Sequence, residues 1–105
     1  MSDIILSRDA DKTLCLIYKE YLSRRKNNLS KSSSSCFESS NLEKLFPDVN
    51  MEDFFCDLSE LKKNNLIELY LEGSFILNSN AIIYMENRFK KGLIEVTDFI
   101  AKFIP

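Results

Sequence analysis

Arg24, Arg25, Lys26 and Lys31 stand in the chain with no acid between them, and Lys62-Lys63 add a basic pair further on. Cations of this kind serve phosphate oxygens, each neutralising one charge and releasing a counterion. Arg88, Lys90 and Lys91 form another short basic group. The opposite charge collects at Glu52, Asp53, Asp57 and Glu60. Four carboxylates on one helix would repel phosphate and suit a basic protein surface instead. The ordinary use of such short charge runs is a solvated helix end, and both chemistries are weighed against it.

Other chemistries are removed by what the chain lacks. Its 105 residues contain no histidine, which excludes Ser-His-Asp and Cys-His catalysis and histidine metal sites. Gly73 and Gly92 are the two glycines, too few for a phosphate loop or a dinucleotide fingerprint. Cys15, Cys36 and Cys56 contain no C-x-x-C pair, so zinc and redox motifs find no support. Cys15 and Cys56 lie in helical runs and are expected as small buried hydrophobes, whereas Cys36 is expected on the surface. Glu52-Asp53 would need further ligands to hold a metal. An enzyme is not expected, and no cofactor, metal or small-molecule ligand is predicted.

Composition bounds the rest. A net charge of -2, 45% hydrophobic and 29% charged residues are those of one small globular domain. The acidic, short apolar start is no signal peptide, and no run can span a bilayer, which predicts a soluble cytoplasmic protein.

The elements that must position these residues follow from periodicity. Ile4–Leu6 is a short strand or a lead-in packed on the core. A first helix starts near Ser7, buries Ala10, Leu14, Ile17, Tyr18, Tyr21 and Leu22, and closes on Arg24-Arg25-Lys26 before Asn27-Asn28. The serine-rich stretch, about 28–40, reads as a long mobile loop, interrupted by a short strand at Cys36-Phe37. Ser40-Asn41-Leu42-Glu43 fits a capping box for a short second helix that ends at Pro47. Asn50 caps a third helix running to about Asn64, with Phe54, Leu58 and Leu61 on one face. Leu66–Leu71 and Ser74–Leu77 read as two strands around Gly73, with Ile67, Leu69 and Leu71 on the apolar side. A C-terminal helical segment spans about 79–104, with Ala81, Tyr84, Met85 and Phe89 on its apolar face, and Gly92 kinks or splits it. The aromatics Phe54, Phe55, Tyr84 and Phe89 are expected in the core. Leu93, Val96, Ile100 and Phe103 form a stripe that packs on its own domain or on a second copy.

This order is α+β and mostly helical: a three-helix core, a two-stranded wing and a C-terminal helix or helix pair in one domain, 1–105. It resembles the winged helix-turn-helix superfamily, on the passages Asp53–Ile67 and Ile76–Asn87. More narrowly it looks like the YjcQ-like group, small single-domain proteins of Gram-positive bacteria and their prophages. Asn78 and Ala81 depart from the threonine and glycine usual in that group. The superfamily resemblance implies a DNA-binding transcription regulator. The clustered cations Arg24, Arg25, Lys26 and Lys31, with Lys62 and Lys63, are then the candidate contacts to DNA, or else a docking site for an acidic partner. The stripe Leu93, Val96, Ile100 and Phe103 would form a homodimer. The alternative is a non-catalytic interaction module that offers Glu52, Asp53, Asp57 and Glu60 to a basic, nucleic-acid-binding partner.

Overall fold

Ser7 opens the longest helix: its hydroxyl accepts the Ala10 amide, and Asp9 and Asp11 sit in the first turn. The structure, a computed structural model, describes residues 4–103. Helix α1 (Arg8–Lys26) buries Ala10, Leu14, Ile17, Tyr18 and Tyr21, and its last turn carries the cations. Ile4 and Leu6 form no strand; both are half-buried against the core as a lead-in.

The serine-rich stretch departs from its expected loop form. Lys31–Ser35 is a helix, α2, because Ser30 caps its start and Arg24 caps its end. The Arg24 guanidinium donates to the carbonyls of Ser34 at 3.3 Å and Cys36 at 2.7 Å, while its plane lies 4.3 Å from the Phe37 ring. Ser34 and Ser35 are consequently buried. The expected capping box is also absent. Ser39–Asn41 form a 3-10 turn and α3 spans Leu42–Leu45, with no side-chain cap. Ser39 is instead drawn to the hairpin, its amide donating to Ser74 Oγ at 3.0 Å.

Asn50 caps α4 (Met51–Lys63) as expected, its Oδ1 accepting the Asp53 amide at 3.0 Å. Asn64 and Asn65 close the helix, Asn65 in a left-handed conformation with φ 60°. Two three-residue strands follow, β2 (Ile67–Leu69) and β3 (Phe75–Leu77). With β1 (Cys36–Phe37) they form an antiparallel sheet in the order β1-β3-β2. Register pairs Phe37 and Leu69 with Phe75, one on each side, and Phe37 stacks on Phe75 at 4.8 Å. The strands are shorter than their hydrophobic pattern, so Leu71 does not alternate inward; it sits in the turn, fully exposed.

The C-terminal segment divides at Gly92 (φ 66°) into α5 (Ser79–Arg88) and α6 (Leu93–Ala101). Helix α6 lies on α1. Val96 is completely buried, and Leu93, Ile100 and Phe103 are half-buried. Of the stripe expected at a dimer interface, Val96 belongs to the core of the chain itself, while Leu93, Ile100 and Phe103 are partly covered by it. Arg88 reaches across to Asp11 with both guanidinium nitrogens, at 2.5 and 2.8 Å. That bidentate pair joins the end of α5 to the start of α1, each charge at the helix end its dipole favours. Burial and neighbouring rings of Phe37, Phe46, Phe54 and Phe75 tie the sheet to α4.

Among the described residues no helix is long and apolar enough to cross a membrane.

Candidate nucleic-acid interface

The four carboxylates of α4 do not share a face. Asp53, Asp57 and Glu60 recur at i, i+4 and i+7 and point toward α1. Asp57 accepts a 2.6 Å hydrogen bond from the Thr13 hydroxyl. Glu60 accepts both the amide and the hydroxyl of Ser7, at 2.6 and 2.8 Å, and so secures the start of α1. Asp53 lines a crevice with Asp9, Lys12 and Asp57 where α1 and α4 meet. Of the acids expected as an interaction surface, Asp57 and Glu60 are engaged within the domain, and Glu52 alone shares the outward face of α4.

That outward face reads Glu52, Phe55, Cys56, Ser59, Lys62 and Lys63, all exposed. It begins acidic, is neutral in the middle and ends basic. Two of its residues correct the sequence reading. Cys56 is exposed rather than buried, since it lies one position outside the stripe of Phe54, Leu58 and Leu61. Phe55 is 38% exposed and lies under the hairpin turn, where a Cβ on Gly73 would come within 3.1 Å of its ring. Helical spacing alone gives Phe55 no such neighbour; the turn of the hairpin supplies it.

The hairpin beside this face is braced. The Tyr70 amide bonds the Ser74 carbonyl, and the Gly73 amide bonds the Tyr70 carbonyl. Glu72, an acid at the tip, accepts from Ser74 Oγ at 2.6 Å and from Ser39 Oγ at 3.4 Å. Its carboxylate is thereby held to the loop before α3. Tyr70 and Leu71 remain exposed.

The basic residues do not form one patch. Arg24 is committed to α2, to Phe37 and to Glu20 at 3.0 Å, so it is not available to phosphate. Arg25 donates to the Leu29 carbonyl but is exposed, as are Lys26 and Lys31. Helices α1 and α4 run antiparallel: Ser7 meets Glu60 and Thr13 meets Asp57, while the Asn50 end of α4 lies alongside Leu16. Arg25 therefore lies about 27 Å along α1 from the end that meets Glu60, and Glu60 stands two residues before Lys62. The two basic groups sit at opposite ends of the helix pair.

Electrostatics at the α1–α4 contact push the Asp57 carboxyl above its ordinary range. Burial is the chief cause, the Thr13 hydrogen bond acts against it, and Asp9, Glu60 and Asp53 add repulsion. Burial also drives the Cys15 thiol up to about 12. Among the described residues, no group of three or more Cys, Asp or Glu side chains is arranged to hold a metal.

Comparison with protein families, with curated proteins and with solved structures finds no match in any of the three.

Proposed function

We propose that this chain is a winged-helix DNA-binding protein of the regulator type, with α4 as the helix that enters the major groove and the β2–β3 hairpin as its wing. The observation that carries the reading is the direction of the α4 acids. A helix showing Glu52, Asp53, Asp57 and Glu60 to DNA would be repelled, but Asp57 and Glu60 are hydrogen-bonded to α1. The face left for a groove ends in Lys62 and Lys63. Strand order β1-β3-β2, with α3 and α4 directly before the hairpin, supports the same reading. Phosphate contacts would come from Lys62 and Lys63, not from Arg24.

The test is fluorescence anisotropy of the full chain on labelled duplex, including its own upstream DNA, across a salt series. Binding is expected to weaken steeply with salt. Lys62→Glu with Lys63→Glu is expected to weaken it at least about tenfold, and neutralising each lysine to lower the salt slope by about 1. Unchanged affinity in the double variant removes these lysines from the interface. No binding at low salt removes the DNA reading and leaves an interaction module that presents Glu52 and Asp53 to a basic partner.

A further inference from the structure

We propose that the crevice between the start of α1 and the end of α6 binds a small amphipathic carboxylate, and that the Ser7–Glu60 hydrogen bonds transmit its occupancy to α4. The crevice measures about 430 Å³ and is lined by Leu6, Arg8, Asp11, Phe99, Lys102 and Phe103. It is an open crevice at the surface and not an enclosed cavity. Leu6, Phe99 and Phe103 supply apolar walls, and the rings are held in place. Phe99 packs on Phe89 at 5.4 Å and meets Phe103 edge-on at 5.3 Å.

The charge of the crevice is selective. Asp11, its one acid, is already neutralised by the bidentate contact with Arg88, whose guanidinium also lies 4.7 Å from the Phe99 ring. Arg8 and Lys102 are left as the charge facing an incoming molecule. The Arg8 guanidinium lies 5.4 Å from the Phe103 centroid, which stations it beside the apolar wall. The start of a 19-residue helix adds positive potential at the same place. A carboxylate satisfies these groups with charge-assisted hydrogen bonds. An aryl or short alkyl body covers the phenylalanines, which a bare polyanion would leave wet.

Transmission follows from the covalent neighbours of Ser7. Leu6 and Arg8 line the crevice, and Ser7 between them gives its amide and hydroxyl to Glu60. Ordering Leu6 and Arg8 around a ligand must therefore be felt at Glu60, two residues before Lys62. Binding itself is independent of the DNA reading; only the consequence of the α4 response rests on it.

The experiment titrates the ¹⁵N-labelled full chain with 3-phenylpropionate, and separately with 3-phenylpropan-1-ol, which keeps the body and loses the charge. Saturable amide shifts are expected at 6–8 and 99–103 with the carboxylate, with shifts at Glu60. The alcohol is expected to bind about tenfold more weakly, the worth of a hydrogen bond to a charged group. Arg8→Gln with Lys102→Gln, both exposed positions, should weaken the carboxylate by at least the same factor. Equal binding of acid and alcohol, unchanged affinity in the double variant, or no saturable shift at 6–8 and 99–103 overturns the site. Shifts at 6–8 without any at Glu60 overturn the transmission. No DNA enters these measurements, so their failure is distinct from failure of the DNA reading.

Discussion

At the scale of single residues, environment separates groups that the sequence makes alike. The three cysteines share one ordinary thiol chemistry, yet Cys15 is buried and its thiol is pushed up to about 12, while Cys36 and Cys56 are exposed. Thiolate is the reactive species, so Cys15 is inert in the folded chain. Titration with a disulfide reagent should find two fast thiols in the native protein and a third only on unfolding. Three equally fast thiols would contradict the burial of Cys15. Asp57 gives a second residue-scale prediction. Its carboxyl is raised by burial first and then by Asp9, Glu60 and Asp53, against the Thr13 bond. A raised acid binds protons better folded than unfolded, so its contribution to stability falls as pH rises from the unfolded value through the folded one. Asp57→Asn keeps an acceptor for Thr13 and removes the charge. Its stability relative to wild type should improve as pH rises from about 3.5 to 7, read by urea unfolding at each pH. A difference that does not vary with pH would sink this account.

At the scale of elements, the two glycines do different work. Both have positive φ, 100° at Gly73 and 66° at Gly92, where an L side chain is strained. A Cβ at Gly92 meets nothing within 4 Å, whereas at Gly73 it meets the Phe55 ring. Gly92→Ala should cost strain alone, about 1–3 kcal/mol. Gly73→Ala should carry strain of the same order and a displaced aromatic ring as well. In a Phe55→Ala background the extra cost of Gly73→Ala should shrink, while that of Gly92→Ala should not; denaturant unfolding of the double-mutant cycles measures both. Equal costs of Gly73→Ala in the two backgrounds would mean that the ring gives way freely. The contact matters beyond stability, because Phe55 and Gly73 join α4 to the hairpin that flanks its outward face.

At the scale of the whole molecule, one helix organises the rest. Helix α1 meets α2, α4 and α6, and its start is held to α4 by Glu60. Its length also separates the basic ends, with Lys62 and Lys63 at one end of the helix pair and Arg25 and Lys26 at the other. The position of α6 against α1 gives the prediction belonging to this scale. Val96 is completely buried, and Ile94 on the same helix is 73% exposed. Val96→Asp buries an unpaired charge and should abolish the folded circular-dichroism signal, whereas Ile94→Asp should leave it intact. If Val96→Asp instead stayed folded and changed only the oligomeric state on a sizing column, α6 would be an interface between copies and not part of this core.

By itself the sequence determined the elements whose signals are local. Ser7 and Asn50 as caps, the 3.6-residue stripe of α1, the Phe54–Leu58–Leu61 face, the short strand at Cys36-Phe37 and the turn at Gly73 all emerge where written, because propensity, capping and periodicity act within a few residues. Tertiary structure decided what depends on a partner far along the chain. The serines of α2 became helical because Arg24 arrives to cap them, and Ser39 left its expected cap for Ser74. Cys56 and Phe55 lie outside the Phe54–Leu58–Leu61 stripe and are exposed, and the hairpin turn, distant in sequence, supplies the neighbour of Phe55. The largest change concerned charge: a list of acids along α4 carries no direction, and only the approach of α1, with Thr13 and Ser7 as donors, turned Asp57 and Glu60 inward. A side chain's type is a local property of the chain, but the surface it belongs to is set by whichever element packs against it.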